Sequence, residues 1–432
     1  MEPTPAWDVI VVGGGPAGLM AGVAAARAGA RTLLVEKGDR LGRKLVISGG
    51  GRCNVTNVGD TAHLVSMIVG NGRFLHGIFA QYCNRDIVAF FEGLGVRLKE
   101  EDHGRMFPVT DKATTVAATL IDHLRSLGAT IWLEAPVAGL LVEAGRVVGV
   151  RLRDGQAIRG RETVLAVGGA SVPRTGSTGD GYAWVQAVGH TVTPLFPTEV
   201  PIHLDAPWVR DRSLQGLSLR EVPLTLTTAR GKRLTTQVGD MVFTHFGVSG
   251  PAALRLGHYV SVAHARAEGP LTLALDWRPD THEGGLEQEV WRLARAEPRK
   301  ALKNVLAGLL PERGLALLLA DTGLDPDATA PHLPRAGVQA FARRVKRFEA
   351  RVTGTGTLEE AFVTGGGVSL KEVDPRTLAS RKAPGLAFAG ELLDVHAHTG
   401  GYNITVALTT GWVAGTWAAQ RARGGQGAER GR

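Results

Sequence analysis

"WDVIVVGGGPAGLMAGVAAARAGARTLLVEK", Trp7 to Lys37, decides the fold. Val9 to Val12 is a short β-branched run ending on glycine, the pattern of a fully buried strand. Gly13, Gly15 and Gly18 follow in G-x-G-x-x-G register, with Pro16 and Ala17 between the last two. Small residues then run at helical spacing to Gly29, and a second strand, Arg31 to Glu36, ends on an acid. Gly13 permits the tight turn, Gly15 lets backbone approach a pyrophosphate, and Gly18 lets helix and strand pack closely. The helix start offers the phosphates N–H groups that lack intrahelical partners. Glu36, with Lys37 beside it, is placed to accept hydrogen bonds from an adenosine ribose. An acid at that point favours an unphosphorylated adenosine, in NAD or FAD.

The residues after Glu36 separate those two. A dehydrogenase would continue with regular βαβ units, but this chain enters a second glycine-rich loop, "VISGGGRCNVTN", Val46 to Asn57. A ligand that extends beyond its pyrophosphate, as FAD does, accounts for a loop so close to the ribose acid. Ser48, Gly49, Gly50 and Gly51 are expected to lay backbone along the ribityl chain and flavin, with Cys53 and Asn54 adjoining. Lys44 and Arg52 are expected to balance the diphosphate. Two later segments extend the site. "ETVLAVGGASVPRTGSTGDGYAWVQAVGH" gives a strand, Thr163 to Val167 with Ala166 facing the site, then Gly168 and Gly169, then Thr178, Gly179 and Asp180 at the head of a helix. "GLAFAGELLDVHAHTGGYNITVALTTGWVAG" gives a strand ending in Gly390 and Glu391, then Gly401, Tyr402, Asn403 and Ile404 opening a helix. Glu391 is expected to take ribityl hydroxyls, and that helix to aim its positive end at the flavin. Val137 completes the residues expected to touch the cofactor.

The 432 residues suit two or three domains, and 44% hydrophobic with 21% charged is an ordinary globular composition. With 2 cysteines, Cys53 and Cys83, and no CxxC, a disulfide framework, a cysteine zinc site and a redox dithiol are excluded. The start lacks a basic n-region and no long apolar run occurs, so neither a signal peptide nor a membrane span is expected, and a cytoplasmic location is. No HExxH or other metal spacing is found, and no metal is expected. The net charge of +8 invites a nucleic-acid reading. The surplus is concentrated between Trp291 and Arg351 and in the tail "RARGGQGAERGR", Arg421 to Arg432. A solvated helical face and a disordered tail account for both, so nucleic acid is not the expected partner.

Several segments together resemble one family: "GRKLVISGGGRCNVTN", "GRMFP", "GSTGDGYAWVQAVGH", "FTHFGVSGPAAL", "VTGGGVSLKEV" and "GELLDVHAHTGGYN". The chain is similar to the BaiN-like (YhiN-like) bacterial flavoproteins, NAD(P)/FAD-dependent oxidoreductases also described as the aminoacetone oxidase family. The resemblance implies an α/β fold in which a split Rossmann-like FAD-binding domain carries an inserted β-rich, barrel-like domain with a small helical subdomain. The expected boundaries are 1–192 and 351–420 for the FAD domain, 193–280 for the β-rich insert, 281–350 for the helical piece and 421–432 for the tail. Alternating segments such as "VPLTLTTARGKRLTTQVGDMVF" and helical spacing in "RAGVQAFARRVKRFEARV" agree with that layout.

Non-covalent FAD with a small-molecule substrate is the resulting expectation. The expected reaction is reduction of an activated C=C bond, with NAD(P)H as a transient donor. Oxidation of a small amine such as aminoacetone, with peroxide as product, is the alternative, and a flavin-containing RNA-associated protein is the reading from another class. The oligomeric state is left open. His396 and His398 stand where relatives more usually carry Asp-Gly and an aromatic; with Tyr402 they are the candidate acid–base groups. Packing against backbone is the competing reading for both histidines. Cys53 reads as a packed thiol, and His245, between Phe243 and Phe246, as a core histidine.

Overall fold

The computed structural model describes residues 7–429, with side chains described to residue 424. It divides into two compact units, Met1–Phe196 with Leu358–Arg432, and Pro197–Thr357.

The first unit is built on a seven-stranded sheet. Trp7–Val12 lies between Thr32–Val35 and Ala157–Leu165, parallel to both, and Thr130–Trp132 pairs parallel beyond Thr32–Val35. Val9, Ile10 and Val11 are fully buried, as a continuous apolar run must be when both faces are covered. Leu386–Phe388, from far along the chain, pairs parallel with Thr163 to Leu165 and completes the sheet. The antiparallel strands Val137–Glu143 and Arg146–Leu152 extend from the other half of Ala157–Leu165. The opening helix, Pro16–Arg27, packs on the closing helix, Tyr402–Glu429. A Cβ at Gly411 would lie 2.2 Å from the Ala17 carbonyl oxygen, and one at Gly415 would lie 2.1 Å from that of Ala21. The two backbones therefore touch, and only glycine permits it.

The tail expected to be disordered from Arg421 is helical to Glu429; residues 430–432 lie outside the described residues. Ala422 is buried in the core of this unit, and Arg423 Nη1 donates to the Ala28 carbonyl at 2.5 Å. Composition suggested disorder because it does not reveal these partners, which lie almost four hundred positions away in sequence.

The second unit is a closed six-stranded barrel, in the order Ile202–Asp205, Gly247–Ser249, Arg233–Phe243, Ser218–Thr228, Leu271–Leu275, Phe348–Thr355. Val222, Leu224 and Leu226 point inward from one hairpin strand, alternating with less buried residues. The helices Glu283–Ala296, Glu312–Asp321 and Arg335–Lys346 bury Leu286, Leu318 and Phe341 in the same core as Trp277 and Phe348. Phe348–Thr355 crosses the boundary expected at 350/351, because it closes the barrel by pairing with both Leu271–Leu275 and Ile202–Asp205. His245 is exposed, with its ring 4.9 Å from Phe246, which corrects its reading as a core residue. Among the described residues no helix is long and apolar enough to cross a membrane.

Candidate cofactor site

The opening turn holds two kinds of glycine. A Cβ at Gly18 would lie 1.8 Å from the Gly13 carbonyl oxygen, and one at Gly13, where φ is +103°, would lie 2.5 Å from that of Ala166. Both serve packing between strand ends and helix. A Cβ at Gly15 would meet nothing within 4 Å. Gly15 is the N-cap of the opening helix and no side chain caps that end, so the N–H groups of Ala17 and Gly18 are left for a ligand while Pro16 has none to satisfy. Glu36 accepts the N–H of Gly14 at 2.7 Å and of Gly38 at 2.8 Å, which fixes its carboxylate at the edge of the turn. Val137 lies two residues after Ala135, whose N–H donates to the Glu36 carbonyl at 2.9 Å.

Lys37 joins the third segment to the first. Its Nζ donates to Asp180 at 2.8 Å and to the Thr178 hydroxyl at 2.5 Å, beside Gly179, which caps the next helix with φ +77°. Burial pushes the Asp180 carboxyl up, but Lys37 and Thr178 outweigh it and hold it below the ordinary range.

In the second loop Ser48–Gly51 forms one 3₁₀ turn with Gly49 and Gly50 left-handed, at φ +56° and +66°. Gly49 is packed, since its Cβ would lie 2.8 Å from the Asn54 nitrogen, but a Cβ at Gly50 or Gly51 would meet nothing within 4 Å. Cys53 is buried with φ +60°, and burial pushes its thiol up to about 12, so it is a neutral packed group rather than a nucleophile. Arg52 departs from expectation. Its guanidinium sits 4.2 Å over the Phe107 ring and is bound by Glu101, at 3.1 Å to one oxygen, and by Asp111 at 2.6 Å. Two carboxylates already neutralise the charge expected to balance a diphosphate.

Lys44 is likewise engaged. Its Nζ donates to Glu391 at 2.7 Å and to the Ser171 hydroxyl at 2.9 Å. Glu391 also accepts the Thr364 N–H at 2.8 Å and the Ser171 hydroxyl at 3.0 Å. Burial raises the Glu391 carboxyl, yet Lys44 and these donors prevail and keep it ionised below the usual carboxylate range. Gly168 and Gly169 make room for this cluster: a Cβ at Gly169 would lie 2.3 Å from the Thr364 hydroxyl. Gly390 packs against Ala17 and donates its N–H to the Thr410 hydroxyl at 2.9 Å. Ser171, Thr364 and Thr410 were not foreseen, and nothing local in their sequence marks them.

The closing helix starts against the second loop. Gly401, at φ +94°, would place a Cβ 2.8 Å from Asn54 Oδ1 and 2.6 Å from the Thr56 carbonyl. Asn54 Oδ1 is buried and has no hydrogen-bond partner, an acceptor that a ligand N–H or O–H satisfies. The Asn403 side chain donates to the Ala397 carbonyl at 2.7 Å and accepts its N–H at 2.9 Å, bracing the loop of His396 and His398. Both histidines are buried; the His396 carbonyl accepts the Gly70 N–H, the His398 N–H donates to Met67, and the His396 ring meets Phe196 edge-on at 5.4 Å. Tyr402, the first residue of the helix, is buried with its hydroxyl 2.9 Å from Nε2 of His63. His63 is exposed on the short helix Thr61–Met67 and was not singled out from sequence. Ile404 follows, half-buried.

This arrangement fits FAD: an uncapped helix start at an open glycine, two further open glycines, and an unsatisfied buried acceptor beside a second helix start. Residues 7–417 match the family described as HI0933-like protein Rossmann domain. The chain is 32% identical to the ribosomal RNA dihydrouridine synthase of Escherichia coli (strain K12), over 94% of this chain and 96% of that protein. It is 30% identical to the 3-dehydro-bile acid delta(4,6)-reductase of Clostridium scindens, over 95% of this chain and 98% of that protein. In fold it is similar to the 3-ketosteroid delta1-dehydrogenase from Sterolibacterium denitrificans, with a TM-score of 0.53 at 16% identity, covering 96% of this chain and 100% of that one. The chain belongs to the HI0933-like Rossmann family of FAD-dependent oxidoreductases.

Proposed function

We propose that the protein reduces a C=C bond conjugated to a carbonyl, that its substrate is a uracil ring in ribosomal RNA, and that NADH or NADPH supplies the electrons. The observation that carries this reading is near-full-length similarity to two proteins, one named a ribosomal RNA dihydrouridine synthase and the other a 3-dehydro-bile acid delta(4,6)-reductase. Dihydrouridine is uridine with two hydrogens added across the ring double bond next to a carbonyl. Bound FAD supplies the hydride. The rest falls to the chain. The start of the opening helix and Glu36 hold the adenosine diphosphate, and Gly50 and Gly51 leave room for the remainder. The start of the closing helix favours negative charge near it. The second hydrogen is a proton, and Tyr402 is our candidate donor: its hydroxyl gives the proton to the substrate carbon, and exposed His63, hydrogen-bonded to it, restores it from solvent. His396 and His398, with backbone bonds to Gly70 and Met67, are better suited to shaping the loop.

A steroid-like enone reduced at the same site is the second reading, favoured by the bile-acid reductase relative. The free cysteines Cys53 and Cys83 suit a reducing cytosol, the location this reading assumes. Anaerobic addition of NADH or NADPH to the yellow protein is the test, followed by deproteinised ribosomal RNA from a strain lacking the gene. Bleaching, then dihydrouridine in the RNA, supports the proposal. Bleaching with turnover only of an enone favours the second reading. Absence of bleaching overturns the donor and turns the search to a small-amine oxidase.

A further inference from the structure

Basic residues of the second unit differ in pairing and in how closely they follow one another along the chain. In the helical part many are engaged: Arg344 with Asp321 at 3.0 Å, Lys346 with Asp276 at 2.7 Å, Lys303 with Asp327 at 2.8 Å, and Arg313 with the Gln215 carbonyl at 2.9 Å. Others there, among them Arg292, Arg299, Arg335 and Arg343, are exposed without an ion pair but scattered along the segment; at one rim of the barrel the unpaired cations are grouped. The strands Ser218–Thr228 and Arg233–Phe243 are joined by a tight turn, closed by hydrogen bonds of 2.9 Å from Gly231 N–H to the Thr228 carbonyl and from Thr228 N–H to the Lys232 carbonyl. Arg230, Lys232 and Arg233 are all exposed there. Thr228 also pairs with Leu271, so the turn before Leu271 leaves the sheet beside the hairpin, and it carries exposed Arg266 with Glu268. None of the four cations makes a side-chain hydrogen bond or ion pair among the described residues.

Three like charges within one tight turn repel, and Glu268, the acid in the neighbouring turn, makes no ion pair with them. A polyanion laid across the rim removes the repulsion and releases counterions. We infer that this rim, Arg230, Lys232, Arg233 and Arg266, holds the phosphate backbone of the RNA substrate; the inference rests on the reading of RNA as substrate. Net charge by segment pointed instead to the helical part, where Arg292, Arg299, Arg335 and Arg343 are also exposed and carry no ion pair but are spread along the segment, whereas Arg230, Lys232 and Arg233 fall within one tight turn.

The test uses the FAD-loaded full chain and deproteinised bacterial ribosomal RNA, with affinity measured from low to moderate salt. The variant R230Q/K232Q/R233Q/R266Q should bind more weakly, and its slope of log affinity against log salt should be shallower by about 3, since each neutralised phosphate carries roughly 0.7–0.9 of that slope. Its bleaching by NAD(P)H and its turnover of a small enone should match the parent. A second variant, R292Q/R299Q/R335Q/R343Q, removes the same charge from the helical part and should leave the slope unchanged. Equal losses in both variants, or none in the first, overturn the rim. Binding of the rim to anionic phospholipid vesicles in place of RNA also overturns it. Failure of the substrate reading looks different: the parent itself makes no dihydrouridine, whatever its salt dependence.

Discussion

The two glycine-rich turns of the first unit, Gly13–Gly18 and Ser48–Gly51, are alike in composition and unlike in what surrounds their missing side chains. In the first, Gly13 and Gly18 are pressed against backbone carbonyls and Gly15 faces open space. In the second, Gly49 is packed while Gly50 and Gly51, both left-handed, face open space. Glycine thus serves two masters within each turn, close packing of the protein on itself and close approach of something the protein binds. Which glycine does which is not visible from spacing alone.

Substitution separates the two roles. Gly18→Val should have the largest effect: its Cβ meets a carbonyl oxygen that cannot move without breaking the turn, so a loss of more than about 3 kcal/mol is expected. Soluble yield and thermal unfolding check it, and a variant melting near the parent would show that the turn is not packed as described. Lys44→Met tests the polar cluster that Gly168 and Gly169 make room for. It leaves the Glu391 carboxylate without its cation, at a cost of about 3 kcal/mol near neutral pH. In the parent the Glu391 carboxyl is lowered on folding, so its contribution is present above the ordinary carboxylate range and lost as pH falls through its lowered value. In the variant only the Thr364 N–H and the Ser171 hydroxyl still oppose burial, so the carboxyl protonates sooner and the stability gap between the two should narrow as pH falls. Denaturant titrations at several pH values read this directly.

Gly50→Leu comes third. Its φ of +66° costs a side-chain-bearing residue about 1–2 kcal/mol, and the side chain points where the cofactor is expected. The purified variant should be colourless yet folded; a yellow one would mean the loop lies elsewhere. Gly15→Ala has the smallest effect on stability, within about 1 kcal/mol as an N-cap change, since its φ of −77° suits any residue. Flavin content after dialysis should nevertheless fall, because the added carbon stands where a phosphate approaches.

The opening strand, turn, helix and second strand were legible because every signal for them is local: a β-branched run, glycines at fixed offsets, a small-residue helix and a terminal acid. The barrel strands were legible by alternation, but their closure was not, since Phe348–Thr355 pairs with Ile202–Asp205 across most of the unit. The same limit applies at the site. Lys44 and Glu391 were each singled out, but for separate tasks; their bond spans 347 positions. Arg52 was assigned to a ligand because Glu101 and Asp111 carry no pattern that links them to it. His63 had no signal at all, being one histidine on an exposed helical turn whose meaning comes from Tyr402.

The packing of the opening helix on the closing helix through Gly411 and Gly415 has a consequence for biosynthesis. At roughly 5–20 residues per second, the barrel emerges from the ribosome complete while the sheet begun at Trp7 still awaits Leu386–Phe388 and its last helix. For some ten seconds or more the nascent chain holds an apolar strand and helix without their covering partner. The inserted barrel can fold in that interval, leaving a finished hub from which the two halves of the flavin unit find each other once translation ends.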